Sequence, residues 1–363
     1  MRSGLSYLGG AALLSVAMLT PAHAQGVPAL PANVPPPGQT VTNHPAGVNV
    51  VAAPLANFNP LTASPAARAQ YAVPPAPDSK AAPFAYNKWL KAVSGLANRA
   101  AAPVLTQTNI SHGPARKQGP SVPFPGANNV VTANSYNWSG ASVVNSNNPF
   151  KVEAIIGEFV VPTAQQAFGS CTGGWDYSSL WSGIDGNGSG NVLQAGVEAD
   201  AYCSGSTTAS FYSAWVEWYP YSETRVSHPP IYPGNQVFVE VWNTSPTNGY
   251  AYIYNYATGI AAEYQLTAPS GTSLVGNSIE WIVERPGVGG GLATLTNYIA
   301  SAWPVGYAWN YTASSPTYYY EGRNPAAGTL EMITMLDNNG NEISSAAVQN
   351  NDSLLFHDFG SAY

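Results

Sequence analysis

The sequence predicts an all-β protein, a sandwich or barrel of short strands, behind a long leader of different character. Two observations carry the fold class. Runs rich in Val, Ile, Thr, Tyr and Trp recur between Gly, Asn, Pro and Ser turns: Glu153 to Val161, Ser179 to Ile184, Val192 to Val197, Phe211 to Tyr219, Gln236 to Trp242, Gly249 to Asn255, Ala261 to Leu266, Ser278 to Glu284, Leu330 to Leu336 and Ser353 to Asp358. Nothing among them alternates with long amphipathic helices, and no internal repeat is apparent. A third observation sets off the leader. Residues 25–127 hold 18 of the 31 prolines, and residues 25–133 hold seven Lys/Arg against one acid, Asp78. From Asn134 onward there are four basic residues and 18 acids, so a +6 segment precedes a −14 domain.

Taken from the N-terminus, Arg2, an apolar run from Ala11 to Leu19 and the small-x-small site Ala22-His23-Ala24 read as a signal peptide over residues 1–24. Its apolar part is too short to span a bilayer. The mature protein is expected to be secreted and soluble, extracellular or periplasmic. Residues 25–130 then form a Pro/Ala-rich leader, expected to be extended or partly disordered because it has little patterned apolar surface to bury. Its sign, opposite to that of the domain, points to a removable inhibitor or folding aid; a plain spacer is the bland alternative. The one helix-like stretch, Phe84 to Leu96, spaces Trp89, Leu90, Val93 and Leu96 as a docking face would.

Residues 131–363 suit one β domain. Its two cysteines, Cys171 and Cys203, are expected to pair after export, with the closed loop worth about 3 to 4 kcal/mol in the chain-entropy model. With few cations to repel one another once the carboxylates are neutral, the domain suits acid. The same charge argues against nucleic acid and anionic membranes as partners. There is no Gly-x-Ser-x-Gly elbow, His-Glu-x-x-His pair or Asp-Thr-Gly loop. The stretch beginning Asp185-Gly186-Asn187 imitates a calcium loop, but position twelve is Gly196, so it reads as a turn. His228 and His357 read as surface or satisfied residues. No metal and no cofactor is implied.

Three strand-like runs put an acid or amide in an apolar setting: Val192-Leu193-Gln194-Ala195-Gly196, Trp215-Val216-Glu217-Trp218-Tyr219-Pro220 and Glu280-Trp281-Ile282-Val283-Glu284. Side chains alternate across a strand, so Leu193, Ala195, Val197, Val216, Trp218, Trp281 and Val283 can face a core. Gln194, Glu198, Glu217, Glu280 and Glu284 then share the other face among Trp and Tyr rings, as in a groove. A carboxylate such as Glu284 can take a proton from water attacking a peptide carbonyl and return it to the leaving amine. A carboxamide such as Gln194 can donate to the oxyanion in acid, where histidine would be charged. Spacing alone leaves Gln194 open between that role and a satisfied strand amide.

In order along residues 137 to 286, Asn137-Trp138-Ser139-Gly140-Ala141, Phe159-Val160-Val161-Pro162, Trp181-Ser182-Gly183-Ile184-Asp185-Gly186 with Leu193-Gln194-Ala195-Gly196, Tyr212 to Pro220, and Glu280 to Glu284 resemble the glutamic peptidases, or eqolisins. That resemblance implies a concanavalin-like sandwich of two antiparallel sheets, made with a signal and a propeptide, that cleaves proteins in acid. It implies Gln194 and Glu284 as the catalytic pair. Trp181, Asp185 and Glu217 would line the cleft, with Trp138 and Tyr219 among its aromatic walls. Ser213 departs from the pattern, where an aspartate is usual. Glu217 is the alternative general base. The expected partners are protein or peptide substrates and the chain's own propeptide, around a monomer. Two other readings stay open: a lectin-like carbohydrate-binding module, and a glycoside hydrolase using Glu217 and Glu284.

Overall fold

In the computed structural model, residues 29–363 are described, apart from 101, 126–128, 146–153, 168–170, 172, 304, 310–317, 321–327, 351–352 and 359–363. The expected signal peptide lies outside the described residues. Two sheets pack face to face. The larger runs, in strand order, Thr224–Val226, Thr207–Tyr219, Val192–Ser204, Ser179–Ile184, Ser278–Glu284, Trp138–Val144, Thr329–Leu336, Glu342–Asn350, Ser353–Asp358 and Ala300–Trp303. The smaller runs Ile260–Thr267, Asn248–Asn255, Gln236–Ser245, Ala154–Val160, Val305–Trp309 and Tyr318–Tyr320. Pairing is antiparallel throughout these lists. Val130–Ser135 adds a parallel partner to Thr329–Leu336.

The expected parity holds. Leu193, Ala195, Val197, Val216, Trp218, Trp281 and Val283 meet Val237, Val239, Val241, Ala251 and Ile253 of the smaller sheet in one apolar core. The other face of the larger sheet gathers Trp138, Trp181, Val192, Trp215 and Ile282. Two glycines make that packing possible. Gly140 sits at φ 141°, and a Cβ there would lie 2.1 Å from the Trp281 carbonyl oxygen. Gly196 lies in register between Trp181 and Trp215, and its Cβ would come within 2.6 Å of the Trp181 Cβ. Cys171 and Cys203 form a disulfide, with Cα atoms 5.8 Å apart.

The leader's path is largely irregular, and its strands and helix dock on the two sheets. Thr40–Thr42 and Leu105–Thr108 extend one edge of the larger sheet, and Val48–Val50 extends the smaller. The helix forms at Pro83–Val93, with proline at its start, and a 3₁₀ turn continues it over Ser94–Asn98. Trp89, Val93 and Leu96 are buried against Phe238, Trp242, Tyr252 and Tyr254 of the smaller sheet. The apolar surface that the leader lacks by composition is supplied by the sheet it lies on. Opposite charge contributes as expected: Lys88 meets Glu158 at 2.6 Å, Arg99 meets Glu263 at 3.0 Å and Lys117 meets Glu331 at 2.7 Å.

Candidate active site

Antiparallel register brings the groove residues together. Gln194 pairs directly across from Glu217, and two strands further along the same face Glu284 lies opposite Ser179 on one side and Trp138 on the other. Trp181 Nε1 donates to Glu284 Oε2 at 2.9 Å, and Asn137 Nδ2 donates to Glu284 Oε1 at 3.1 Å. Trp138 packs edge-on against Trp181, centroids 4.9 Å apart, which fixes the indole that holds Glu284. Burial raises the Glu284 pKa above its ordinary value, while His112, Asn137 and Trp181 pull against that rise.

The groove is filled by the leader. After Leu105–Thr108, the chain continues extended, with Ile110–Ser111 paired to Gly287–Val288. His112 then sits at the centre. Its main-chain N–H donates to both Glu217 oxygens, at 3.2 and 3.1 Å, and its carbonyl accepts from Gln194 Nε2 at 2.5 Å. Its imidazole stacks on Trp215, centroids 3.8 Å apart and planes 12° from parallel. The ring's Nε2 lies 3.1 Å from Glu223 Oε2, and Nδ1 lies 3.4 Å from Glu284 Oε2. Burial alone would lower the imidazole pKa, but Glu223 and Glu284 push it up to about 10. Burial raises Glu217 well above the ordinary carboxylate value, with the His112 charge and N–H opposing. Glu223 ends below its ordinary value: burial would raise it, and His112, Arg225 and Thr108 more than offset that.

The remaining expected residues divide. Tyr219 is partly buried beside Gly113 of the leader and joins Glu284 and Asn137 around a cavity of about 70 Å³, ample for water next to the carboxylate. Asp185 is not turned to Glu284. Its oxygens accept from the Val275 N–H at 2.6 Å and the Asn277 N–H at 2.9 Å, so it pins the loop before Ser278–Glu284. Ser213 donates to Glu198 Oε1 at 2.6 Å, and Glu198 is its cross-strand partner, clasped in turn by Arg225 at 2.5 and 2.9 Å. Where an aspartate was expected at 213, a carboxylate thus arrives from the neighbouring strand.

Sequence reasoning missed His112 and Glu223. It quoted Asn137 within a motif without assigning it a part. No spacing rule ties a lone leader histidine to a groove, and Glu223 lies in the turn after the strand Thr207–Tyr219, outside any alternation. Chemically, the arrangement offers a held carboxylate beside room for water, and an amide donor bound to a peptide carbonyl.

The model of the Peptidase A4 family matches residues 136–355. Aspergillopepsin-2 of Aspergillus niger is 31% identical over 165 residues, which cover 41% of this chain and 56% of that protein. Scytalidopepsin B of Scytalidium lignicola is 31% identical over 163 residues, 45% of this chain and 56% of that protein. The chain therefore spans about half the length of these curated relatives. Among solved structures, scytalido-glutamic peptidase with a peptide-based transition state analog aligns with a TM-score of 0.48 and 22% identity over 61% of this chain and 98% of that one. Aspergilloglutamic peptidase from Aspergillus niger aligns with a TM-score of 0.42 and 25% identity, over 50% and 99%. The family match takes in more than half of this chain and every strand that carries Trp138, Gln194, Glu217 and Glu284, and on that extent the protein belongs to the Peptidase A4 family.

Proposed function

We propose that this protein is an exported, monomeric acid endopeptidase that hydrolyses peptide bonds with Gln194 and Glu284, made with residues 25–130 as a propeptide that closes its own cleft. The observation that carries the reading is the peptide main chain in the groove, its carbonyl on Gln194 and its N–H on Glu217. Those contacts suit a peptide and favour it over the sugar-binding readings.

In the open enzyme, Glu284 as carboxylate takes a proton from a water that attacks the substrate carbonyl carbon. A C–O bond forms, and the carbonyl oxygen becomes an oxyanion hydrogen-bonded by the Gln194 amide. Collapse breaks the C–N bond, and the proton on Glu284 passes to the leaving amine. Trp181 and Asn137 hold the carboxylate in place and favour its ionised form. Glu217 orients the substrate through its N–H. In the precursor, the His112 ring lies against Glu284 and its carbonyl occupies Gln194, so the leader blocks both members of the pair.

The test is turnover of a quenched peptide and of casein at about pH 2 to 5 by the cleaved protein, with thermal melting as the folding control. Gln194→Ala should lose about two to three decades in turnover, because one oxyanion donor is worth about 3 to 4 kcal/mol. Glu284→Gln should be at least as damaging, and the double variant scarcely worse than the worse single one. Glu217→Gln should keep measurable activity. Near wild-type turnover in folded Glu284→Gln would end the mechanism, and abolition by Glu217→Gln alone would move the general base there.

A further inference from the structure

The outer face of the smaller sheet is aromatic where a solvated sandwich face would be polar. Ile156, Phe238, Trp242, Tyr252, Tyr254 and Trp309 point away from the sandwich core, and all are buried in a second apolar cluster with leader residues Trp89, Val93 and Leu96. Left bare, such a patch would exceed what soluble monomers ordinarily expose. The fit is close. Tyr252 Oη donates to the Ala92 carbonyl at 2.8 Å, and a Cβ on Gly95 would lie 2.4 Å from the Tyr254 ring. Main-chain pairing adds to it. Val48–Val50 runs along the strand Ile260–Thr267, and the Ala100 N–H donates to the Ala261 carbonyl at 3.0 Å.

The leader's other half, residues 105–123, is held differently. It crosses the groove on main-chain bonds and on contacts to Glu217, Glu223, Glu284 and Glu331, and among its described residues Ile110 is the one fully buried apolar side chain, with Leu105 and Ala115 packed at cluster edges. We propose that the leader is two devices, a removable strap over residues 105–123 and a body over residues 48–100 that stays bound to the catalytic domain after the strap is cut, so that the working protein is a complex of two chains. This rests on the reading of residues 25–130 as a propeptide separated from the domain by cleavage.

Acid does not undo the body's seat. The charged groups there are Glu158, Glu240 and Glu263 on the sheet and Lys88, Lys91 and Arg99 on the leader. Glu240 is buried with neither carboxylate oxygen hydrogen-bonded, and burial raises both Glu240 and Glu263 well above their ordinary values. Groups raised in this way favour the docked state below their ordinary pKa and oppose it as pH rises. Acid weakens the Arg99–Glu263 pair but removes the cost of burying those two carboxylates, and the aromatic contacts do not titrate.

The experiment cuts the full chain with an exogenous site-specific protease, so its outcome does not depend on the chain's own activity. One recognition site is inserted at exposed Ala102 and one after exposed Phe124. After both cuts at neutral pH, the sample is brought to about pH 3 and analysed by size exclusion with mass spectrometry. The fragment containing residues 48–100 should elute one-to-one with the catalytic domain. Its separation from the domain, folded or precipitated, would overturn the proposal. Gly95→Val in the same cut protein should weaken retention at least tenfold by crowding Tyr254. Undiminished retention would overturn the assignment of the body to this face.

Discussion

Glu284 is defined by what holds it. Two neutral donors, the Trp181 indole and the Asn137 amide, bind one oxygen each, and neither loses its hydrogen in acid. Asn137→Ala removes one donor to the charged form, so the Glu284 pKa should rise further. The proposed base must be ionised to work, so the acid limb of kcat/KM should move to higher pH, by up to about one unit, with a stability loss of about 1 kcal/mol. A pH–rate profile of the cleaved, active protein checks this, and an unmoved acid limb would show that Asn137 does not tune the proposed base. At this scale the groove was legible where chemistry follows alternation. Gln194 and Glu217 sit between core residues of their strands and Glu284 follows the core residue Val283 at the end of its own, so a period of two placed them on one face. Asp185, assigned to the cleft by resemblance alone, follows the strand Ser179–Ile184 at φ 70°, where parity no longer places a side chain, and binds the main chain of Val275 and Asn277.

At the scale of elements, the strands Ser179–Ile184, Ser278–Glu284 and Ser353–Asp358 begin and end where the β-rich runs do, because turn residues flank them. The hairpin of Val192–Ser204 and Thr207–Tyr219 runs 13 residues on each side, beyond the apolar runs that announced it. Its outer half buries Ala199, Ala201 and Tyr212 in the core and is held further by register and by the disulfide near its tip. Trp138–Val144 was seen only as a motif, since glycine and serine weaken its strand signal while tertiary pairing on both sides enforces it. The Cys171–Cys203 bond closes a loop with a sequence separation of 32, far from the pair at Gln194 and Glu284 along the hairpin. Replacing both cysteines by serine should cost about 3 kcal/mol of stability and leave the kcat of the surviving folded protein nearly unchanged. Thermal melting and turnover below the transition check both halves. A large loss of kcat without loss of stability would give the bond a part in the chemistry.

For the whole molecule, opposite charge in leader and domain was readable from composition, but where the leader lies was not, because docking surfaces are made by the folded sheets. Acid acts on the strap with both signs. Glu223 and Glu331 are held below their ordinary pKa by leader partners, so their contribution is present above that value and lost as pH falls through the lowered one. His112, pushed up to about 10, stays charged throughout this range and does not open the latch. Glu217 and Glu284 are raised, mainly by burial, and favour the closed form below their ordinary pKa. Glu223 makes the direct contact to the imidazole, so its protonation is expected to dominate. Hydrogen exchange of residues 105–116 in the uncleaved, inactive Glu284→Gln precursor should therefore show protection that is steady near neutrality and falls in acid. Adding Glu223→Gln should leave protection low at pH 7 and nearly flat with pH. If protection instead grows steadily as the solution is acidified, burial of Glu217 outweighs the latch, acid tightens the strap, and only cleavage can open the cleft.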